Sequence, residues 1–187
     1  VLGSKIVFKG ENFTLTDLRF ESGGVAVEGD NIALKNMRVH GSTGVRVSGS
    51  ESVSVENLFV DSSETGLEVE NSSRTLMKNI TVQNSLNGIM IDGEEDNMIL
   101  SSIVRNCGTG LSVDSSLERA EKLSVHNNQK NIDNSGYEGK IENFNSTLEN
   151  ISIPPEEEIR FGIVNRFSVN LAPGDYYLET SILPGGS

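Results

Sequence analysis

The sequence contains no tryptophan, one cysteine and only 5% aromatic residues. Sugar-binding faces usually stack rings on exposed aromatics, so that mode has little to work with here. Cys107 alone cannot close an internal disulfide, and it assigns no redox compartment. It follows Arg105-Asn106 in a turn-like position and reads as a plain unpaired thiol. Basic side chains are also scarce, 15 Lys and Arg against 27 Asp and Glu, for a net charge of −12. Nucleic-acid binding needs clustered Lys and Arg, and docking on anionic lipid needs the same, so neither partner is expected. The acidity permits cation binding and high solubility. No apolar run approaches a membrane span, so direct membrane insertion is not expected. The chain opens at Val1 without a secretory leader, the expectation being a processed chain or an excised piece.

What the sequence has in abundance is repetition. A phrase of glycine, aliphatic, any residue, aliphatic recurs with its glycine at Gly24, Gly44, Gly66, Gly88 and Gly110, in steps of 20, 22, 22 and 22 residues. A sixth copy puts Asn131 where glycine stood. Asparagine is the other residue that tolerates the left-handed backbone region, so the column reads as a bend. An earlier partial copy places Ile6 and Phe8 in the aliphatic slots. Between these copies lies a second phrase, LTDLRF, LKNMRV, VENLFV and MKNITV, with Asp17, Asn36, Asn57 and Asn79 in one column.

Apolar residues spaced by two flank that column, which is strand periodicity, and β-branched residues fill the periodic slots. Helical repeats are excluded by the same spacing. Each unit of about 22 residues therefore reads as three short strands separated by bends, each strand pairing in parallel with its copy one coil away. Val27, Val47, Val69, Ile91 and Val113 form one inward column, and Phe20, Val39, Val60, Val82, Val104 and Val125 another. Asn36, Asn57 and Asn79 are expected at an inward bend as a hydrogen-bonded structural ladder.

With G[VLI]x[VI] and xN[LIM]x[VF] at this period, residues 5–145 resemble the right-handed parallel β-helix family with pectate-lyase-like coils. More narrowly, they resemble archaeal and bacterial surface β-helix proteins grouped with NosD and with carbohydrate-binding modules. The resemblance implies an all-β right-handed parallel β-helix solenoid of about six to seven coils over residues 1–145. The fold hosts lyases, hydrolases, epimerases, adhesins and inert scaffolds, so it implies no single activity. The period fails past residue 145. Residues 146–187 read as a C-terminal antiparallel β cap, or the start of a following β-sandwich module, with Pro-Pro and Pro-Gly turns.

The candidate chemistry lies where the first phrase ends. Glu70, Asp92 and Asp114 fall in one column with Glu28 and Ser48, and Asp30 and Glu94 lie two residues further on. Stacked about 4.8 Å apart, these carboxylates are candidate ligands for calcium, the one cofactor considered. In the pectate lyases that the chain resembles, acids of successive coils hold calcium. The competing reading is a solvated acidic turn. Arg46 beside Glu68 reads as a cross-coil ion pair, and no hydrolase-type NTD or DD signature is present. His40 and His126 share a column but stand four coils apart, about 19 Å, too far for one ion. Met37 and Met77 point inward, so a copper site is not expected. Phe59, Thr81 and Ile103 share an outward column.

Sequons for N-glycosylation occur at Asn12, Asn71, Asn79, Asn145 and Asn150. Asn12 and Asn71 fall in an outward turn, whereas Asn79 belongs to the expected inward ladder and should stay unmodified. The candidate acceptors are therefore Asn12, Asn71, Asn145 and Asn150. Nothing in the sequence before Ile6 covers the first coil, and an uncovered strand edge invites pairing. The leading expectation is a non-catalytic extracellular or cell-surface structural module that stacks end to end into a homo-oligomer or filament. The alternatives are a carbohydrate-binding module of a larger surface protein, with a polysaccharide partner, and a calcium-dependent polysaccharide lyase or hydrolase.

Overall fold

Backbone pairing between copies of the repeat builds the molecule. The computed structural model describes residues 5–62, 64–113, 117–133, 145–153 and 164–171. The first coil gives β1 (Lys5–Lys9), β2 (Thr14–Thr16) and β3 (Arg19–Phe20). The next coils give β4 (Gly24–Glu28) and β5 (Ala33–Gly41), then β6 (Val45–Ser48) and β7 (Ser54–Ser62), then β8 (Thr65–Glu70) and β9 (Leu76–Gln83). These are followed by β10 (Asn87–Asp92), β11 (Asn97–Leu100) and β12 (Ile103–Arg105), and by β13 (Thr109–Val113) and β14 (Leu117–His126). Last come β15 (Lys130–Asp133), β16 (Asn145–Ile153) and β17 (Val164–Leu171). Among the described residues there is no helix, and none long and apolar enough to cross a membrane.

Every strand pairs in parallel with its counterpart one coil away. One sheet runs β1-β4-β6-β8-β10-β13-β15, and the other runs β2-β5-β7-β9-β11-β14-β16-β17 with β3 and β12 beside it. The result is an all-β parallel solenoid of about 6 turns. In β5, β7, β9 and β14 the second and third strands expected for each unit run together as one strand with a bend inside it.

The inward columns follow the sequence pattern. Val27 pairs with Val47, Val47 with Val69, Val69 with Ile91 and Ile91 with Val113, and each is at most 1% exposed. Phe20, Val39, Val60, Val82, Val104 and Val125 stack likewise in the second sheet. Removing such a side chain from water contributes about 1.5–3 kcal/mol. Met37 and Met77 are inward and buried. Inward polar residues cap strand ends instead of interrupting the core. Ser72 Oγ donates to the Glu70 carbonyl and accepts from the Ser50 amide at 3.1 Å, and Asn97 Oδ1 accepts from the Thr75 amide at 3.1 Å.

The glycine column has a different cause from the bend expected of it. None of Gly24, Gly44, Gly66, Gly88 and Gly110 adopts the left-handed conformation. They lie where successive coils approach most closely. A Cβ on Gly66 would sit 2.7 Å from the Gly88 carbonyl oxygen, and one on Gly110 would sit 2.6 Å from Val125 Cγ1. On Gly88 it would strike the Gly110 carbonyl and Val104. Asn131 ends the column with a buried side chain whose Oδ1 accepts from Asn128 Nδ2 at 2.9 Å.

The left-handed residues are elsewhere, in other columns. Asp17, Asn36, Asn57, Asn79, Ser101 and Lys122 mark the bend of the second sheet with φ of 58°, 53°, 55°, 54°, 53° and 51°. Asn12, Asn31, Ser52, Arg74 and Asp96 mark the corner after the first sheet, with φ between 52° and 60°. Asn and Asp predominate there because a short polar side chain eases that conformation.

The expected antiparallel cap is not what the described strands form. β16 pairs in parallel with both β14 and β17, so the second sheet continues through Leu171. The tail strands lack the glycine phrase but set apolar residues opposite one another, Leu148 with Phe167, Ile151 with Val169 and Ile153 with Leu171, enough to extend a parallel sheet. Residues 172–187 lie outside the described residues.

Two glycine substitutions separate close approach from backbone conformation. Gly88→Ala is expected to destabilise by ~3 kcal/mol, because a rigid backbone carbonyl cannot yield. Gly49→Ala, at φ 57° with nothing within 4 Å of its Cβ, is expected to cost only ~1 kcal/mol. Urea unfolding midpoints of the two variants measure this; equal losses would refute the steric reading.

Candidate functional site

The acidic column forms at the end of the first-sheet strands. Glu28 stacks with Lys9, Ser48 with Glu70, and Glu70 with Asp92. Asp114 lies outside the described residues. Glu70 is already engaged, since Arg46 Nη2 donates to Glu70 Oε2 and Arg46 Nε lies 3.4 Å from Glu68 Oε2. The guanidinium is pushed up from its ordinary value, first by the Glu70 hydrogen bond and against the opposing effect of burial. Asp92 is exposed at the start of its turn. Further round the corner, Asp30 Oδ1 accepts from the Glu51 amide at 2.8 Å, and Glu51 pairs with Arg74. Among the described residues no three His, Cys, Asp or Glu side chains converge as a metal site.

The asparagine ladder exists, but on the opposite side of the wall from that expected. Asn79 Nδ2 donates to Asn57 Oδ1 at 3.1 Å, Asn57 Nδ2 to Asn36 Oδ1 at 2.9 Å, and Asn36 Nδ2 to Asp17 Oδ1 at 3.1 Å. All four residues are exposed. A left-handed residue interrupts the two-residue alternation. Leu34 and Met37 both point inward, and Lys35 and Asn36 between them face solvent. Asn79 is therefore not shielded by burial. Asn12 and Asn71 are exposed at the corner after the first sheet, both with positive φ, two residues apart in the repeat. Asn145 and Asn150 lie in β16.

The solvent side of the second sheet beyond the bend carries two columns. Arg19, Arg38, Phe59, Thr81, Ile103 and Ser124 stack in one. His40, Asp61, Gln83, Arg105 and His126 stack in the other, so the two histidines do share a column, at strand ends. His40 Nδ1 lies 3.6 Å from Asp61 Oδ2, and Asn84 Nδ2 donates to Asp61 Oδ1 at 2.9 Å. Arg38 Cζ sits 4.8 Å from the Phe59 ring centroid. Arg105 donates through Nε and Nη2 to Gln83 Oε1 at 3.2 and 2.9 Å. Sequence reasoning found the Phe59–Ile103 column but missed Arg38 and Arg105. Their signal is the residue on either side of the inward valine in RVH, FVD, TVQ and IVR.

Cys107 is an unpaired thiol in the turn between β12 and β13, as its position suggests. It is buried in an inward column with Ser85 and Asn128. Its Sγ lies 3.3 Å from the Arg105 carbonyl, as Ser85 Oγ does at 3.2 Å from that of Gln83. Burial pushes the thiol up from its ordinary value, against a smaller opposing effect of a hydrogen bond with the Ser85 backbone.

The chain matches the family described as right handed beta helix region over residues 4–159. No curated protein and no solved structure matches it.

The raised thiol gives a pH signature. The folded protein holds the neutral form, so this contribution to stability is complete below the unfolded thiol's value of about 8.5 and is lost as pH rises through the higher folded value. Cys107→Ser, which copies Ser85, is expected to match the wild type near neutrality and to be the relatively more stable protein at alkaline pH. Urea unfolding of both across that range checks this; parallel curves would contradict it.

Proposed function

The chain belongs to the right-handed β-helix family, and from that premise we propose that it is a non-catalytic structural module of the cell surface that stacks end to end through its first coil. The observation that carries this reading is exposure at β1. Ile6, in an inward slot, is 47% exposed, whereas Val25, which pairs with it, is 0% exposed. An edge strand of this kind accepts another strand in parallel register, and a second copy offers coils of the same pitch. Head-to-tail contacts do not close, so the product is a filament.

The outward side chains support a structural role. Many are spent on bonds between coils, in the Asp17–Asn79 ladder, the Arg46 pairs with Glu68 and Glu70, and the Arg74–Glu51 pair. Calcium on the acidic column is no part of this reading, because Glu70 already neutralises Arg46. The surface location draws on Asn12 and Asn71, which present exposed acceptors.

Sedimentation velocity of protein secreted from a glycosylating host tests both parts. The wild type is expected to grow in size with concentration and to carry sugar at Asn12 and Asn71. Ile6→Lys leaves a side chain that reaches solvent in the monomer but would bury an unpaired charge in the stack. It should weaken association at least ~100-fold, the equivalent of ~3 kcal/mol. A wild type that stays monomeric at every concentration would overturn the stacking proposal, and bare asparagines would remove the support for location.

A further inference from the structure

Leucine and methionine stand on the solvent side of the second sheet where β9 and β11 lie side by side. Before the bend, Met77 and Ile99 point inward and are 0% exposed. Leu76, Met98 and Leu100 beside them therefore face out, and they are half-buried. Leu76 stacks on Met98. Elsewhere these two outward columns hold Ala33, Ser54 and Arg119 in one and Glu56, Lys78 and Glu121 in the other.

The charges on the two sides of Leu100 have opposite sign. Leu100 pairs with Lys78 in the coil before and with Glu121 in the coil after, each about 4.8 Å away. Lys78 is exposed and has no carboxylate partner among the described residues. The Glu56 side chain next to it accepts from Ser54 Oγ at 3.0 Å instead. Arg119 holds Glu121 through Oε1, which leaves Oε2 to a second donor.

We propose that this face pairs with the same face of a second copy, about a two-fold axis that lies along the Met98–Leu100 strand. Such an axis keeps the strand direction and reverses the order of the coils. Leu100 then meets Leu100, and Met98 meets Met98. The coil before meets the coil after, so Lys78 of each copy meets Glu121 of the other, twice by symmetry. Leu76 meets Arg119, whose stem is apolar while its guanidinium stays on its own Glu121. The charges fit a second copy only in this register. Centred on Lys78, the axis would set lysine on lysine; centred on Glu56 or Glu121, it would set acid on acid. The contact is a few short strands across, which suits a weak pair rather than an obligate dimer. It lies on the wall of the solenoid, away from the first coil, and it closes where end-to-end stacking does not.

Sedimentation velocity of the Ile6→Lys chain, made without glycosylation, tests this separately from stacking. Physiological salt screens the net charge of −12 that opposes association. Size is expected to rise with concentration and to stop at twice the monomer. Leu100→Lys, added to that parent, should weaken the pair at least ~100-fold, as expected of an unpaired charge at its centre. Lys78→Glu and Glu121→Lys should each weaken it at least ~10-fold through like charges. Lys78→Glu/Glu121→Lys should return it to within ~3-fold of the parent, a rescue that no folding defect would give. A parent that stays monomeric at every concentration, growth past the dimer, or a double variant no better than the single ones would overturn the proposal. Leu100→Cys should take a maleimide fast in dilute solution and more slowly at high concentration. Slow reaction in the dilute monomer would mean that the chain itself covers this face, and would overturn the proposal as well.

Discussion

Parallel backbone pairing of each coil with the next is the constraint on which everything else depends. It holds equivalent residues of successive coils one strand spacing apart, about 4.8 Å. At that spacing the sequence has to repeat, because each position must suit a copy of itself above and below. Valine and isoleucine satisfy this inside, where branched side chains interdigitate. Glycine satisfies it at the closest approach, where a Cβ would meet the neighbouring carbonyl. Asparagine satisfies it at the bend, because its amide both donates to and accepts from another amide.

The same constraint shapes the surface. Stacking like on like is tolerable for amides but repulsive for carboxylates, and where Glu70 stacks on Asp92 the Arg46 guanidinium offsets the Glu70 charge. Glu28, Ser48, Glu70 and Asp92 occupy one column, and Arg46 reaches across to Glu68 and Glu70 from the coil before. Arg74 reaches across to Glu51 in the same way, while Arg19 and Arg119 pair with a glutamate two residues on. Arg38 and Arg105 stand out because the residues stacked next to them are Phe59 and Gln83 rather than glutamate.

Much of the fold was legible in the sequence, since a period of 22 residues and β-branched slots at every second position leave few alternatives. The inward valine columns, the Arg46–Glu68 pair and the stacking of Asn36, Asn57 and Asn79 all follow from spacing alone. Two inferences failed for one reason: spacing reveals columns but not backbone conformation. Gly66 and its copies were assigned the left-handed conformation that belongs to Asn57 and its copies. Once Asn57 is left-handed, it adds an extra outward residue between Val55 and Leu58, and the ladder moves to the solvent side. The parallel pairing of β16 with β17 was hidden because that segment drops the glycine phrase. The candidate site was less legible still. Arg46 is paired with Glu68 and Glu70, and Arg74 with Glu51, about 20 residues away in sequence, and reading such pairs requires the register.

Hydrogen exchange across the first sheet tests the dependence on coil pairing most directly. In dilute solution, protection should be highest and nearly uniform at Val47, Val69 and Ile91, which have a coil on either side, and should fall sharply at Ile6 and Phe8, which pair on one side only. Protection at Ile6 and Phe8 equal to that at Val69, under conditions where the chain sediments as a monomer, would contradict the account.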